Sequence, residues 1–241
     1  SSFEGANLYD DYTLENHRII HPDYMASFIL TFHTAVDYSM TGRTIPDFLR
    51  FNISHIYDNL KWFSLPDAGL TYPSWQDWRI FRNSDWLVNH LFMAVYANDR
   101  DAWHLTMEAL ECIERMQERH PEGNIYNEKE YFFPSTQHDL ILYLSLSWQA
   151  LHFVKNLPDS YTPKNGVKWF ENGKIILNKS DKFRHSLSYS NKIMFMPTLN
   201  RPDRIFDSYP RNGIGSIREK GADTPLPLTL EQIKIDTNRN S

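Results

Sequence analysis

Two short stretches hold residue types that could move a proton or grip an acid. The first, YTLENHRIIHPDY at residues 12–24, sets Asn16 beside His17, with His21 four positions on. Asn is a poor interior helix residue, and Thr13 already offers a cap, so Asn16 is not needed as one. A neutral amide beside an imidazole can bind a carboxylate while the imidazole moves a proton; on spacing alone the pair reads more readily as a capping Asn beside a packed His. On one continuous helix His17 and His21 would share a face and could hold a metal. Pro22 disfavours helical geometry at His21, and no third ligand has a recognisable spacing, so His21 reads as a capping or loop residue packed on its neighbours. The second stretch is GLTYPSWQDW at residues 69–78. Pro73 biases Tyr72 toward an extended backbone that could aim its hydroxyl into a cleft. Trp75 and Trp78 could stack on sugar faces, and Gln76 and Asp77 could bind hydroxyls; the same loop would serve equally as an aromatic plug on helix ends. Arg79 and Arg82 follow and could pair with carboxylate or sulfate. His90 and His138, near helix starts, read as satisfied core or boundary histidines.

The elements that must position these residues change character along the chain. Residues 1–158 read as helical. HPDYMASFILTFHTAVDYSMTG opens with Pro22 and Asp23 and closes with Gly42, the expected punctuation. IPDFLRFNISHIYDNLKWF repeats the device, with Leu49, Ile53, Ile56, Leu60 and Phe63 in one stripe. NSDWLVNHLFMAVYAN has Ser84 as cap, and DRDAWHLTMEALECIERMQERH ends at Pro121. PSTQHDLILYLSLSWQALHFVKN is apolar nearly all round, which predicts deep packing. Residues 159–241 switch to strand period. VKWFENGKIILN predicts two strands around a two-residue Asn172-Gly173 turn, and FRHSLSYSNKIMFMP alternates. The expected architecture is mainly α, a helical domain followed by a short antiparallel β segment too thin to be a complete sheet domain.

Bulk composition narrows the chemistry. The 241 residues carry 41% hydrophobic and 23% charged side chains, enough for a packed core. Aromatics reach 15%, which suggests broad aromatic-lined surface. A net charge of −5 with no long basic run excludes nucleic acid as the expected partner, and an anionic substrate would need a local cluster of Arg, Lys, His or Asn. The single cysteine, Cys112, reads as a buried small hydrophobe. No apolar run is long enough to span a membrane. No signal peptide is present, and the abrupt opening SSFEGANLYDD reads as a mature product or an excised piece.

ENHRIIHPDYMAS, then YPSWQDW, then HSLSYSNKIMFMP in a β region, resembles the heparinase II/III-like polysaccharide lyases over roughly residues 5–195. The resemblance implies an α/α toroid followed by an antiparallel β-sandwich, of which this chain would be an incomplete piece. It implies that an Asn-His pair begins an inner helix and that a Tyr lies one helix pair later; here His17 and Tyr72 are 72 − 17 = 55 residues apart. Carried over residue by residue, Asn16 matches the amide that engages a uronate carboxylate, His17 the catalytic histidine and Tyr72 the catalytic tyrosine. A β-domain histidine often completes such sites, and His185 is the candidate. Trp75, Gln76, Asp77, Trp78, Arg79 and Arg82 would line the substrate path. No cofactor and no metal are expected.

The reaction implied is β-elimination. A proton leaves C5 of a uronic acid and the C4 oxygen departs, so the charge growing on the carboxylate must be stabilised and an acid and a base supplied. Tyrosine's ordinary pKa is about 10, so a Tyr base needs positive charge nearby. The implied partner is an acidic polysaccharide or oligosaccharide in a secreted or periplasmic setting. Tyr72→Phe should then abolish turnover at little cost to stability. An incomplete toroid should also expose an open apolar side through which the chain could self-associate. Two rivals stand beside this reading. One is a glycoside hydrolase using two carboxylates among Asp11, Glu15, Asp77 and Asp85; the other is a non-catalytic carbohydrate-binding fragment.

Overall fold

The computed structural model describes residues 7–16, 19–74, 86–126, 136–155, 160–190, 193–199 and 220–221. A short two-stranded ladder precedes the helices and a four-stranded antiparallel sheet follows them, so the protein is of mixed α and β structure. By contact the described residues form two compact units. One draws on residues 1–24, 71–77 and 164–241; the other on 25–70 and 78–163. This division crosses the chain order: the segments carrying Asn16 and Tyr72 group with the sheet, not with the helices.

α1 (Pro22–Leu30) runs on from Pro22 and Asp23, as punctuated in the sequence; its first turn groups with the sheet and residues 25–30 with the helical unit. A 3-10 turn (Thr31–His33) joins it without a break to α2 (Thr34–Met40). The next predicted helix is divided. A 3-10 turn at Asp47–Arg50 precedes α3 (Ile53–Phe63), because Asn52 sits in the left-handed region at φ 59° and interrupts the helix that the apolar stripe implied. α4 (Trp86–Ala97) is buried on almost every face. α5 (Arg100–Glu118) buries Ala102, Leu105, Thr106, Ala109 and Ile113, a one-sided helical spacing, and Asp99 caps it by accepting from the Ala102 N–H at 3.0 Å. α6 (Thr136–Leu151) packs on α4. Its all-round apolar sequence does not bring deep packing: Ile141, Leu142, Trp148 and Leu151 are exposed, because only one side of the helix meets a neighbour among the described residues. Cys112 on α5 is half-buried rather than buried, at the margin of that helix's inner stripe.

Two polar clusters brace this unit. Lys61 Nζ lies 2.9 Å from Asp58, 2.7 Å from Asp99 and 3.0 Å from Asp101. Burial works to lower its pKa, but the hydrogen bonds and charges of the three carboxylates prevail and hold it above the ordinary lysine value. Tyr57 Oη meets His90 Nδ1 at 2.8 Å, and His90 Nε2 faces the Ala68 carbonyl at 3.1 Å. Burial pushes the His90 pKa down to about 4, so the ring is neutral, with Nε2 donating to Ala68 and Nδ1 accepting from Tyr57. This is the satisfied core histidine that the sequence predicts.

In the other unit, β1 (Glu15–Asn16) and β2 (Ile19–Ile20) form a small antiparallel ladder in which Asn16 opposes Ile19. Asn16 therefore lies on a strand pair ahead of α1, not on a helix. The main sheet runs β3 (Gly166–Phe170), β4 (Ile175–Lys179), β5 (Phe183–Tyr189) and β6 (Ile193–Leu199) in sequential antiparallel order. Phe170 opposes Ile175, so the first turn has four residues, Glu171 to Lys174, in place of the predicted two. Lys174, at φ 54°, supplies its left-handed position. Gly173 is required for another reason: a Cβ there would come within 2.8 Å of Thr13 Oγ1. The turn is held from outside the sheet. Asp11 Oδ2 accepts from the N–H groups of Asn172 (2.9 Å) and Gly173 (3.0 Å), while its Oδ1 accepts from the Thr13 N–H (3.0 Å) and Oγ1 (2.5 Å).

Candidate functional site

The chemically capable residues of the sheet-bearing unit meet around residues 71–74. Side chains alternate across a strand, and on β5 the buried set is Arg184, Ser186 and Ser188. Arg184 Nη1 reaches Thr71 Oγ1 at 3.4 Å, and Ser188 Oγ donates to Ser74 Oγ at 2.9 Å. Positions 184 and 188 share one face of the strand, so they hold residues 71–74 alongside it. Tyr72 lies between these two contacts, with Pro73 limiting its backbone.

The Tyr72 hydroxyl donates to Asp23 Oδ1 at 2.5 Å. Asp23 occupies the first turn of α1 and is only 6% exposed. Its other oxygen, Oδ2, stands 3.9 Å from His21 Nδ1, and the His21 ring meets Tyr24 edge-on at 5.0 Å. Phenol and carboxylate thus share a buried hydrogen bond, with the imidazole beside the carboxylate but beyond hydrogen-bond distance of it. His21 is thus the packed loop residue that the sequence suggests, with a carboxylate beside it. Tyr72 itself is 0% exposed. The expectation that Pro73 aims its hydroxyl into an open cleft is not met, because the carboxylate of Asp23 draws the hydroxyl inward.

The other anticipated residues are distributed differently. Asn16 is half-buried on β1. His185 falls between Arg184 and Ser186 and so faces the opposite side of the sheet, stacked on Phe183 at 4.6 Å and tilted against Phe195 at 5.6 Å. The structure does not join it to Tyr72. His17, Trp75, Gln76, Asp77, Trp78, Arg79 and Arg82 lie outside the described residues, as do Asp85 and the cap assigned to Ser84. Among the described residues no cluster of His, Cys, Asp or Glu is arranged to hold a metal ion, and no helix is long and apolar enough to cross a membrane.

Two of the four carboxylates considered for hydrolysis are committed elsewhere. Asp11 holds the β3–β4 turn, and Glu15 accepts a hydrogen bond from Tyr9, whose proton is thereby held up to about 12. Sequence reasoning missed three participants. Asp23 appeared only as helix punctuation, and Lys179 and Arg184 were not singled out. Lys179 on β4 and Arg184 on β5 are directly opposed, 4% and 1% exposed. Burial, and then the neighbouring guanidinium, pull the Lys179 pKa down to about 7.

Compared with known proteins, the chain matches no family model, no curated protein and no solved structure.

Proposed function

We propose that this chain carries part of the active site of a polysaccharide lyase that cleaves a uronic-acid-containing polymer by β-elimination. The observation that carries the reading is the bond from Tyr72 to Asp23, with His21 beside it, in the same compact unit as Asn16. β-Elimination needs a group that can release and recover a proton near C5 and O4. A phenol bonded to a carboxylate, itself next to an imidazole, suits that task. Asn16 would hydrogen-bond the uronate carboxylate as negative charge grows on it. His17 would take the second proton-transfer role or lower the Tyr72 pKa. Trp75, Gln76, Asp77, Trp78, Arg79, Arg82 and His185 are proposed to contact the polymer. Because Tyr72 is 0% exposed, the reading requires residues 71–74 to part from Asp23 when substrate enters.

The larger architecture belongs to the same proposal. The pairs α4/α5 and α4/α6 are read as a section of an α/α toroid and the antiparallel sheet as the start of a sandwich. The working place is secreted or periplasmic, where such polymers are met. The exposed Ile141, Leu142, Trp148 and Leu151 of α6 are the apolar side through which copies would associate. The hydrolase alternative is weakened by the structural duties of Asp11 and Glu15. Burial of Tyr72 favours a second reading, a non-catalytic carbohydrate-binding piece. One screen separates the three: the purified chain with alginate, heparinoids, chondroitins and pectins. A lyase generates an unsaturated uronate seen as new ultraviolet absorbance. A hydrolase generates reducing ends without it, and a binding piece retains polymer and generates neither. Absorbance that persists at wild-type rate in Tyr72→Phe would remove Tyr72 from the chemistry.

A further inference from the structure

The helical unit holds a cavity of about 260 Å³ where three elements change course. Phe32 comes from the 3-10 turn between α1 and α2, Arg50, Ile53 and Ser54 straddle the corner at Asn52, and Ala97 and Asn98 lie at the end of α4. Asn52 and Asn98 are both left-handed, at φ 59° and 55°, a conformation that asparagine tolerates better than most residues. The chain therefore turns abruptly on both sides of the gap. The lining is divided. Phe32, Ile53 and Tyr96 are buried and form an apolar floor, with the Phe32 and Tyr96 rings edge to face at 5.8 Å. Arg50, Ser54 and Asn98 are exposed and form a polar rim. Among these residues Arg50 alone carries a charge. Its guanidinium stands 3.8 Å from Asp47, beyond hydrogen-bond distance, and Asp47 is fully exposed. An ion pair so long and so solvated is held weakly, so Arg50 can exchange Asp47 for another carboxylate. Asp99, next to Asn98, is already engaged by Lys61 at 2.7 Å and by the Ala102 N–H at 3.0 Å.

We propose that this cavity binds a small apolar carboxylate, with its acid group on Arg50 and its body over Phe32, Ile53 and Tyr96. The volume lies just below the roughly 300–1,000 Å³ of sites for drug-sized ligands, so the body is a single ring or a short chain. Such a body leaves water as it covers the floor, while the carboxylate accepts charge-assisted hydrogen bonds at the rim. A sugar would set hydroxyls against Phe32 and Ile53 without partners, and a bare inorganic anion would leave the floor uncovered. The site lies wholly in the helical unit and does not rest on the lyase reading.

The test is calorimetric titration of the full chain at neutral pH and matched ionic strength. Sodium phenylacetate and sodium hexanoate present a ring and a chain. Sodium acetate lacks the body, 2-phenylethanol lacks the charge, phenethylamine reverses it, and sodium galacturonate replaces the apolar body by a sugar. Phenylacetate or hexanoate is expected to bind more tightly than all four. Arg50→Gln, on an exposed turn, should fold as the wild type does and weaken the bound acid about tenfold, toward the affinity of the neutral alcohol. Ala97→Leu should fill the cavity and abolish binding while leaving Arg50 in place; if it does not fold, Ser54→Leu at the exposed rim serves instead. The proposal is overturned if neither acid binds more tightly than acetate and 2-phenylethanol, if Arg50→Gln binds the acid as the wild type does, if the filled variant still binds it, or if phenethylamine or galacturonate is the preferred ligand.

Discussion

Tyr72→Phe removes one oxygen and separates two roles for this tyrosine. The sequence alone predicts little loss of stability, because the ring is kept. The structure revises that. The missing hydroxyl is a donor to Asp23, a carboxylate 6% exposed, at 2.5 Å. Hydrogen bonds to charged groups contribute about 1.5–3 kcal/mol, and removing one partner leaves the other to bear its desolvation. Tyr72→Phe should therefore cost about 2 kcal/mol, a sizeable part of the roughly 5–15 kcal/mol that holds a domain folded. Urea unfolding of wild type, Tyr72→Phe, Asp23→Leu and the double variant reads this as a cycle. The coupling should be about 1–3 kcal/mol, because the hydroxyl has little left to lose once the carboxylate is gone. A cycle that closes to within about 0.3 kcal/mol would refute the reasoning and leave the buried contact energetically idle.

Lys61→Met should destabilise the helical unit by about 3–5 kcal/mol, since it leaves Asp58, Asp99 and Asp101 gathered without their shared cation; a change under about 0.5 kcal/mol in urea unfolding would contradict this. His90 holds its folded pKa down to about 4 against an ordinary 6.5, so the unfolded chain takes up a proton first as pH falls. Stability should drop between pH 6.5 and 4 by roughly 3 kcal/mol from this residue, with His33, also lowered to about 4 by burial, adding to the slope; unfolding at pH 7 and 4.5, with His90→Gln flattening part of the slope, checks it. Lys179 acts at the other end. Its folded pKa of about 7 lies below the ordinary 10.5, so stability should rise from pH 7 toward 10.5, by at most roughly 5 kcal/mol, and Lys179→Met should abolish that rise. Gly173→Ala should cost about 1–3 kcal/mol through its close approach to Thr13, and adding Thr13→Ala should return part of the loss if crowding is the cause.

What the sequence disclosed depended on the range of the forces involved. Pro22 and Asp23 act on the next few residues, so the start of α1 was legible, as was the alternation of β5 and β6. Asn52 was not, because the apolar stripe continues across it and one left-handed residue leaves no mark on periodicity. β1 and β2 are two residues each, too short to show a period, so Asn16 was expected on a helix. The Asn172-Gly173 pair marked a turn correctly but gave its length wrongly, because the register answers to Asp11 and Thr13, far away in the chain. At the candidate site Tyr72 was legible through Pro73, whereas its partner Asp23 lies 49 positions away. Lys179 and Arg184 look like ordinary solvent-facing strand charges until the register sets them together on a buried face.

The carboxylate of Asp11 and the amide of Asn172 that it holds are 161 positions apart. A ribosome adding about 5–20 residues per second would release Asp11 roughly 8–30 s before its partners exist. Throughout that interval Ile19 and Ile20, fully packed in the finished protein, would lack the carboxy-terminal part of their unit, while the helices encoded between could already be forming. The amino-terminal strand pair should thus be the last part of its unit to gain protection during synthesis. A nascent chain arrested before residue 172 would be cut by protease around residues 12–20 while its helices resist, and elongation past residue 199 should close that window.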